Sequence, residues 1–433
     1  MLSILRTSDP GAEAAIRRLV ERAAVERDVE PAVRGILAAV RADGDAALIE
    51  FTRRFDGVEL TADRLRVSEA ETAAAAAAIA PRARAAIARA RARIEAFHAR
   101  EIRSSWEFEP QRGVRITQTV RPLDAVGVYA PGGRAIYPST VLMNVVPAAV
   151  AGVGRVVLVT PPDGDGHVDP HVLFAASSCG VSEIYRVGGA QAIAALTYGT
   201  ETVPRVDKVV GPGNVYVNVA KRLVFGAVGI DGLAGPSEVV VLADDTADPT
   251  LVAADLLSQA EHDRLATSVL VTPSRTLAEA VKGEMHRQLK SLGRAAVIEA
   301  SLETRGGLIV VASLDAGIDL VNRLAPEHLQ LTVERPDHIL PRLRNAGTIL
   351  VGSGTPVSFC DYGAGPTHVL PTGGAARFGS PLSTTDFVKH TNVLTVSRAA
   401  CGSLAETLEP LAEIERFTAH AAAMRRRKEL QDG

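Results

Sequence analysis

The sequence has few of the features that mark membrane, secreted or nucleic-acid-binding proteins. No uncharged apolar stretch reaches the length of a transmembrane helix, and the first residues, MLSILRTSDPG, contain no apolar run of signal-peptide length. The net charge of −3, from 47 basic and 50 acidic residues, favours neither nucleic acid nor an anionic membrane as a partner. We therefore expect a cytoplasmic protein.

Cysteine is also scarce. The three cysteines, Cys179, Cys360 and Cys401, form no CxxC pair and are odd in number. This argues against a disulfide framework and against a zinc site built from thiolates. A bound metal ion would therefore need nitrogen and oxygen ligands.

The apolar residues of the sequence follow two different patterns. The 433 residues are 47% hydrophobic, which is enough for more than one buried core. Residues 12 to about 105 show helical periodicity, and their Ala/Arg-rich part predicts a solvated helical arm that Pro81 interrupts or restarts. From about residue 120 to 355, short β-branched runs alternate with helical stretches, as in parallel βαβ units. These runs are AVGVYA, RVVLVTPP, EIYRVGG, KVVGPG, EVVVLAD, TSVLVTP, GLIVVAS and TILVGSG.

The run EVVVLAD, at residues 238–244, divides this region into two series of similar plan. We predict two α/β halves, which duplication of one unit would explain. After about residue 380 the chain becomes polar and ends in two predicted helices, with Thr418 as the N-cap between them.

Three glycine-rich loops follow predicted strands in the first half. They are YAPGGRAIYPST (129–140), VGGAQAIAALTYGT (187–200) and VGPGNVYVN (210–218). Such loops free backbone N–H groups at a helix N-terminus, where phosphate binds well. The first and third do not fit GxGxxG with a later acidic residue. Tight turns and a dinucleotide crevice at the strand ends both remain open.

The stretch DLLSQAEH interrupts an apolar helix pattern with Asp255, Gln259 and His262. Their spacing places the three polar side chains on one helix face. A buried polar stripe costs free energy unless water, other side chains or a metal ion satisfies it.

Further ionisable groups are the pair Glu327–His328, Asp361, and the pair Glu415–His420. Each has an ordinary explanation: most single histidines are surface or hydrogen-bonded residues, and Asp361 fits an Asx-turn. The C-terminal helices fit packing or oligomerisation elements. On a continuous helix Glu415 and His420 would splay apart, so their convergence requires the break at Thr418.

Eight segments together resemble the histidinol dehydrogenase family, in the family's order and over about residues 120–425. They are VGVYAPGG…YPSTVLMN, VGGAQAIAALTYGTE, GPGNVYV…AKR, IDGLAGPSEVVVLAD, DLLSQAEHD, RLAPEHLQL, DYGAGPTHVLPT and ERFTAH. Eight collinear motifs are far more specific than any single glycine loop. The resemblance implies an NAD-dependent, zinc-requiring oxidation of L-histidinol through L-histidinaldehyde to L-histidine with two NAD⁺, the last two steps of histidine synthesis.

Carried over residue by residue, the resemblance implies a zinc site whose ligands are Gln259, His262, Asp361 and His420. In the family the last of these comes from the other subunit of a homodimer. The implied NAD contacts are Tyr129, Gln191 and Asn214. The implied substrate pocket has Ser237 and Glu415 beside the zinc ligands and His328.

His328 aligns with the catalytic base of the family and Glu327 with its water-activating carboxylate. An alcohol releases hydride only as its O–H proton departs, so a neutral imidazole near the working pH is the fitting base.

The implied fold is α/β, with two incomplete Rossmann-like parallel-sheet domains, helical N-terminal and C-terminal extensions, and a domain-swapped homodimer. The expected boundaries are 1–25 for the N-terminal helical extension, 26–128 with 239–380 for the first domain, 129–238 for the second domain with the NAD contacts, and 381–433 for a tail that reaches the partner subunit.

The sequence departs from the family pattern at two positions near the predicted metal-binding aspartate. Cys360 stands where the family usually has glycine, and Thr367 stands where Asn or Ser is commoner. No predicted ligand is lost.

Two alternatives remain. A related dehydrogenase of another small alcohol, such as a sulfonated propanediol, would share the zinc and NAD residues, but Glu415 and His420 favour histidinol. A non-catalytic nucleotide-binding or scaffold protein would need neither Glu327 nor His328.

Overall fold

The computed structural model of the chain describes residues 3–20, 25–132 and 136–428. Residues 21–24, near the expected boundary at residue 25, residues 133–135 of the first glycine loop and residues 429–433 of the expected tail lie outside the described residues. The chain divides into two compact units. The first comprises the residues before Ile102 together with Asp124–Phe387, and the second comprises Ile102–Leu123 and the segment that begins at Val388. No helix in the described ranges is both long and apolar enough to cross a membrane.

The strands, numbered from the N-terminus, are β1 (Ile4–Arg6), β2 (Trp106–Gln111), β3 (Val114–Pro122), β4 (Ala125–Tyr129), β5 (Arg155–Thr160), β6 (Glu183–Arg186), β7 (Lys208–Val210), β8 (Gly229–Ile230), β9 (Glu238–Ala243), β10 (Thr267–Thr272), β11 (Gly306–Val310), β12 (His328–Thr332), β13 (Thr348–Val351) and β14 (Val388–Val396).

The helices are α1 (Ala12–Val20), α2 (Val25–Phe55), α3 (Ala62–Leu65), α4 (Glu69–Ala78), α5 (Pro81–His98), α6 (Pro138–Val150), α7 (Pro170–Ser178), α8 (Gly189–Tyr198), α9 (Val215–Val224), α10 (Pro249–Ala260), α11 (Arg275–Leu289), α12 (Ala295–Arg305), α13 (Leu314–Leu324), α14 (Val357–Tyr362), α15 (Arg398–Ile414) and α16 (Thr418–Lys428). Short 3-10 turns cover Pro336–His338, Leu340–Arg342, Ala375–Arg377 and Thr384–Phe387.

The first unit contains two sheets whose strand pairs are all parallel. Their orders are β6-β5-β4-β7-β8, called here the first sheet, and β1-β11-β10-β9-β12-β13, called the second sheet. Counted within each series, β4–β8 and β9–β13 both follow the order 3-2-1-4-5, which is the doubly wound Rossmann order without its sixth strand. The predicted α/β fold with two parallel sheets of similar plan is confirmed.

Each of the eight predicted β-branched runs forms a strand of these two sheets. Parallel strands are covered on both faces, so they read as continuous apolar runs, and β9 and β10 are buried along their whole length. Strand β12 is not among the predicted runs because His328 and Gln330 interrupt its apolar pattern. Both side chains are nevertheless buried.

The N-terminal segments pack differently from the expected domain assignment. Strand β1 pairs with β11, so residues 1–25 contribute a strand to the second sheet and are not only a helical extension. Helix α2 shares a buried core with β5 and α8 of the other half, through Val33 and Leu48. The grouping of residues 26–128 with 239–380 is therefore corrected for α2. Helical periodicity reveals an apolar face, but it does not reveal which sheet that face covers.

The expected boundary between residues 128 and 129 also falls inside a strand. Strand β4 pairs along its length with β5 and also pairs with β7, so the first sheet begins at Ala125. The domain boundary is corrected because AVGVYA is one continuous strand.

The Ala/Arg-rich segment forms two helices separated just before Pro81, as predicted. Ser68 and Glu71 form a capping box at the start of α4, in which each residue's side chain bonds the other's backbone N–H. Helix α5 packs against α6 and buries Ile87 and Ile94. The prediction of a solvated arm is therefore wrong, because a few well-spaced isoleucines supply an apolar stripe.

The second unit contains the antiparallel sheet β14-β3-β2, followed in sequence by α15 and α16. Strand β14 lies inside the tail of residues 381–433, which was expected to be helical. The sequence VKHTNVLTV is rich in β-branched residues, which favours a strand, and its residues 389–395 are all exposed. The helix break before Thr418 is confirmed.

Candidate active site

The three predicted NAD contacts lie at the carboxyl end of the first sheet. Tyr129 is the last residue of β4, Gln191 lies in the first turn of α8, and Asn214 is the N-cap of α9. The Asn214 side-chain oxygen accepts hydrogen bonds from the backbone N–H groups of Tyr216 at 3.0 Å and Val217 at 3.2 Å. The prediction that a helix opens near Asn214 is confirmed.

Tyr129 and Gln191 meet at Gly189. The Tyr129 hydroxyl accepts a hydrogen bond of 3.2 Å from the Gly189 N–H. The Gln191 carboxamide folds back over the same glycine, since a Cβ there would come within 2.6 Å of Gln191 Oε1. That oxygen is buried and has no hydrogen-bond partner in the described part of the chain. A buried acceptor without a partner is costly, which favours a ligand at this position.

Burial, opposed by the Gly189 hydrogen bond and aided by the charge of Asp56, raises the pKa of Tyr129 to about 12. The hydroxyl therefore keeps its proton at neutral pH and can donate it in a hydrogen bond to a ligand.

The second group of predicted site residues lies at the amino-terminal ends of strands in the second sheet. Ser237 immediately precedes β9, and Glu327 immediately precedes β12, whose first residue is His328. Open α/β sheets usually bind ligands at the carboxyl ends of their strands, which is where the predicted NAD contacts of the first sheet lie. The two sheets of this unit thus present opposite ends to their candidate site residues.

The backbone of Glu238 orients both Glu327 and His328. Its N–H donates to Glu327 Oε2 at 2.8 Å, and its carbonyl oxygen lies 3.3 Å from His328 Nδ1. His328 Nδ1 is also 3.6 Å from Glu327 Oε2. With Nδ1 directed at the strand, Nε2 faces Asp361 Oδ1 at 3.7 Å and makes no hydrogen bond to any described residue. The imidazole is therefore held at one nitrogen and left free at the other.

Asp361 also faces His262. Helices α10 and α14 pack together through Leu256, Leu257 and Val357, which places the end of α10 beside Asp361. His262 Nδ1 lies 3.0 Å from the carbonyl oxygen of Ser258, and Nε2 lies 3.8 Å from Asp361 Oδ2. A ring nitrogen fixed by a carbonyl leaves the other nitrogen as an acceptor, which is the usual arrangement of a metal-binding histidine.

Gln259 lies one turn before His262 and is 1% exposed. Its amide nitrogen and its amide oxygen are both buried, and neither has a hydrogen-bond partner among the residues described. Helix α10 ends at Ala260, so the predicted helical stripe holds for Asp255 and Gln259, whereas His262 is presented by the turn that follows. Burial raises the pKa of Asp255 to about 6.

Burial lowers the pKa of His328, but the charge of Glu327, the nearby Cys360 thiol and the charge of Asp361 outweigh it and raise the pKa to about 10. In the chain by itself this imidazole is therefore protonated at neutral pH. Two carboxylates within 4 Å of the ring nitrogens stabilise the imidazolium, so a neutral base at this position requires a positive charge that offsets them.

Sequence reasoning missed two residues that support the site. Glu238 is buried at the start of β9, and its Oε1 accepts from the Gly373 N–H at 2.8 Å. A charged residue at the head of the run EVVVLAD is a signal that could have found it. His368 Nδ1 lies 2.8 Å from the carbonyl oxygen of Asp361, and burial lowers the pKa of His368, so the neutral ring donates there. His368 lies within the motif DYGAGPTHVLPT, which is the sequence signal that could have found it.

Glu415 and His420 belong to the second unit. Glu415 follows the last residue of α15, and His420 lies in the first turn of α16. Both side chains are exposed, and the ring of His420 lies 5.2 Å from that of Phe417. Their convergence with the residues of the first unit stays a prediction.

Within the described ranges, no group of three or more His, Cys, Asp or Glu side chains is arranged to hold a metal ion. Of the four predicted ligands, only His262 and Asp361 are residues of these types in the first unit. The other two are the amide of Gln259 and His420, which belongs to the second unit.

Two doubly wound parallel sheets, with glycine loops at one and a buried imidazole between carboxylates at the other, define an α/β dehydrogenase. The family model for histidinol dehydrogenase matches residues 20–428. The chain therefore belongs to the histidinol dehydrogenase family, as its motifs predict.

Curated relatives match over nearly their whole length. The chain is 50% identical to the histidinol dehydrogenase of Geobacter sulfurreducens over 399 residues, which cover 92% of this chain and 93% of that protein. It is 50% identical to the Synechococcus enzyme over 425 residues, covering 97% and 98% of the two chains. The crystal structure of histidinol dehydrogenase from Elizabethkingia anophelis matches with a TM-score of 0.93 at 36% identity, over 99% of this chain and 98% of that one.

Replacing Glu327 by Gln should lower the pKa of His328, because it removes a negative charge that stabilises the imidazolium. In chelator-treated protein, ¹⁵N-histidine NMR should place the wild-type midpoint near pH 10 and the Glu327→Gln midpoint lower by about 1–3 on the pH scale. Glu334→Gln, which neutralises an exposed carboxylate beyond the other end of β12, should leave the midpoint unchanged. A wild-type midpoint near the ordinary histidine value of about 6.5 would contradict the described electrostatics.

Proposed function

We propose that this chain is an NAD-dependent, zinc-requiring L-histidinol dehydrogenase, which oxidises L-histidinol through L-histidinaldehyde to L-histidine with two NAD⁺. The observation that carries the proposal is the set of His262, Asp361 and His328, in which each oxygen of one carboxylate faces a different imidazole. In the proposal His262, whose Nδ1 lies against a carbonyl oxygen, is the metal ligand, and His328, whose Nε2 has no hydrogen bond to a described residue, is the base. Family membership supplies the substrate.

We assign the zinc ion to Gln259, His262 and Asp361, completed by His420 of the partner subunit. The buried Gln259 amide supports this assignment, because both of its polar atoms are available and would be costly without a ligand. Two imidazoles, an amide oxygen and a carboxylate form a nitrogen and oxygen set that suits Zn²⁺. Bound zinc would supply a fixed positive charge that orients the imidazole and amino groups of the substrate.

We assign NAD to the carboxyl end of the first sheet, where Tyr129, Gln191 and Asn214 would contact it. The neutral Tyr129 hydroxyl and the buried Gln191 oxygen supply a donor and an acceptor. Asn214 caps the N-terminus of α9, an end at which phosphate is favourable. Bound NAD⁺ would supply the hydride acceptor.

In the proposed chemistry His328 takes the alcohol proton at Nε2 as the hydride leaves. Glu327 then draws a proton from the water that adds to the aldehyde, and His328 acts again in the second oxidation. His328 must be unprotonated at the start of each of the two oxidations. A cation bound at Asp361 would offset the charge of that carboxylate and so lower the pKa of His328. The base and the proposed metal ligands would therefore be coupled.

We propose that the chain acts as a domain-swapped homodimer whose tail, residues 381–433, reaches the partner's site. Ser237 and Glu415 would line the substrate pocket, Glu415 being contributed with His420 of the partner subunit. Support comes from the second unit, which exposes large apolar side chains. They include Trp106, Phe108, Leu394, Leu411, Ile414 and Phe417. Many exposed large apolar side chains in one compact unit are typical of a surface that another chain covers.

Purified protein with L-histidinol and NAD⁺ should release two NADH per substrate. Chelation should abolish the reaction and added zinc should restore it. A single NADH, or a preference for a sulfonated propanediol, would instead indicate a related dehydrogenase. A chain that binds NAD⁺ but turns over no alcohol with its metal in place would indicate a binding protein.

Replacing Gln259 by Leu should raise the stability of the metal-free protein and lower its affinity for zinc. In the metal-free protein the free energy of unfolding should rise by about 1–3 kcal/mol, because an unpartnered buried amide is removed. Zinc affinity should fall by more than the roughly 10–100-fold that loss of a supporting group costs. Denaturant unfolding and a competition titration with a zinc indicator measure the two effects.

The matched control is Gln330→Leu. Gln330 is also buried, but its amide donates to the Gly352 carbonyl oxygen at 2.9 Å. This variant should lose stability and keep its zinc. If both leucine variants bind zinc like the wild type, Gln259 is not a ligand.

Mixing a His328→Ala chain with a His420→Ala chain should restore activity if the tail serves the other subunit. Random pairing makes half of the dimers mixed, and each mixed dimer has one intact site, so about one quarter of wild-type activity is expected. His328→Ala mixed with the His328→Ala/His420→Ala double variant should stay inactive. Recovery should follow the exchange of subunits measured by native mass spectrometry. Exchange without recovery would show that each tail serves its own chain.

A further inference from the structure

A buried lysine–aspartate pair holds the first glycine of the loop 210–218, and none of the chemistry above uses it. Lys221 lies in α9 and is 1% exposed, and Asp231 directly follows β8. The Lys221 ammonium donates to Asp231 Oδ1 and, at 3.0 Å, to the carbonyl oxygen of Gly211. Asp231 Oδ2 accepts from the Gly211 N–H at 2.8 Å. One ion pair therefore binds both backbone polar groups of Gly211.

These bonds begin where the strand pairing ends. Strand β7 pairs with β4 and β8 and stops at Val210, so Gly211 is the first residue outside the sheet. Its φ of +111° favours glycine, and a Cβ there would lie 2.2 Å from the backbone oxygen of Tyr129. The pair thus fixes a piece of backbone that lies against Tyr129 and leads directly to Asn214.

Stability does not explain why this pair is ionic. Helix α9 is already anchored in the core of the first sheet by Val217, Ala220 and Val224. A buried ion pair contributes little more to stability than an apolar pair of similar size, because both charges lose their hydration. What the pair adds is geometry, since an ammonium and a carboxylate hold an N–H and a C=O in fixed positions.

We propose that Lys221 and Asp231 are positioning residues for NAD. They hold the Gly211–Asn214 backbone and the adjoining Tyr129 in the bound arrangement before the cofactor arrives, which reduces the ordering cost of binding. The inference rests on the proposed function, in which Tyr129 and Asn214 contact NAD.

The test uses the full-length enzyme with Lys221→Met or Asp231→Asn. Lys221→Met should raise the KM for NAD⁺, and the Kd of NADH measured by its fluorescence, by about 10-fold, because the loop must then be ordered on binding. At saturating NAD⁺, kcat should stay within about 2-fold of wild type, and the KM for L-histidinol should not change, because none of the residues assigned to its pocket belongs to the loop 210–218. A merely structural role would not separate these constants.

Asp231→Asn is the more nearly isosteric variant: its one side-chain oxygen can still accept from Gly211, while an amide NH₂ replaces the oxygen that accepts from Lys221 and Gly232. It should change the same constants in the same direction by a smaller factor. Lys221→Met leaves a carboxylate unpaired in the core, so if that variant does not fold, Asp231→Asn carries the test.

Lys208→Met is the matched control. Lys208 lies at the opposite end of β7 and has the same kind of partners, donating to the Asp386 carbonyl oxygen at 2.6 Å with Asp386 Oδ1 at 3.4 Å. It should lower stability and leave the NAD⁺ constants unchanged. Folded Lys221 and Asp231 variants with wild-type NAD⁺ affinity, or an equal rise in Lys208→Met, would overturn the inference and leave the proposed function standing. A wild-type chain that binds no NAD⁺ would overturn both.

Discussion

The contact between β9 and β12 at Glu238 is the constraint on which the rest of the site depends. A single residue's backbone bonds the Glu327 carboxylate and lies against His328 Nδ1, so the second imidazole nitrogen can point only toward Asp361. Parallel pairing fixes this register, because a shift of one residue would turn His328 to the other face of the sheet. The base and its neighbouring carboxylate are thus aligned by sheet geometry, whereas Gln259, His262 and Asp361 are positioned by α10, the turn after it and α14.

The two sheets have the same strand order, but their candidate site residues lie at opposite ends of the strands. In the first, glycine loops at the carboxyl ends leave Gln191 and the N-terminus of α9 available for a cofactor. In the second, residues that precede strands carry the ionisable groups. The same strand order thus carries glycine loops at one end of the first sheet and ionisable side chains at the opposite end of the second, and the proposed roles of the two sheets differ accordingly.

Much of the fold was predictable from the sequence. The β-branched runs marked eight of the eleven strands of the two parallel sheets, because most of these strands are buried on both faces. Strand β12 was not predicted, because the polar residues His328 and Gln330 interrupt its apolar pattern. Helix α2 was assigned to the wrong half, because the apolar face of a helix does not show which sheet it packs against. The site residues came from collinear motifs, whereas the raised pKa of His328 required the distances to Glu327 and Asp361.

The pairing of β1 with β11 also affects how the chain avoids self-association. Strand β11 has the sequence GGLIV, and without β1 its outer edge would present unpaired peptide groups beside buried apolar side chains. Such an edge invites pairing with other copies during folding. Residues 4–6 therefore protect an edge that is synthesised about three hundred residues later. Until β11 is synthesised, β1 has no partner strand in the sheet, so this protection against aggregation depends on a long-range pairing.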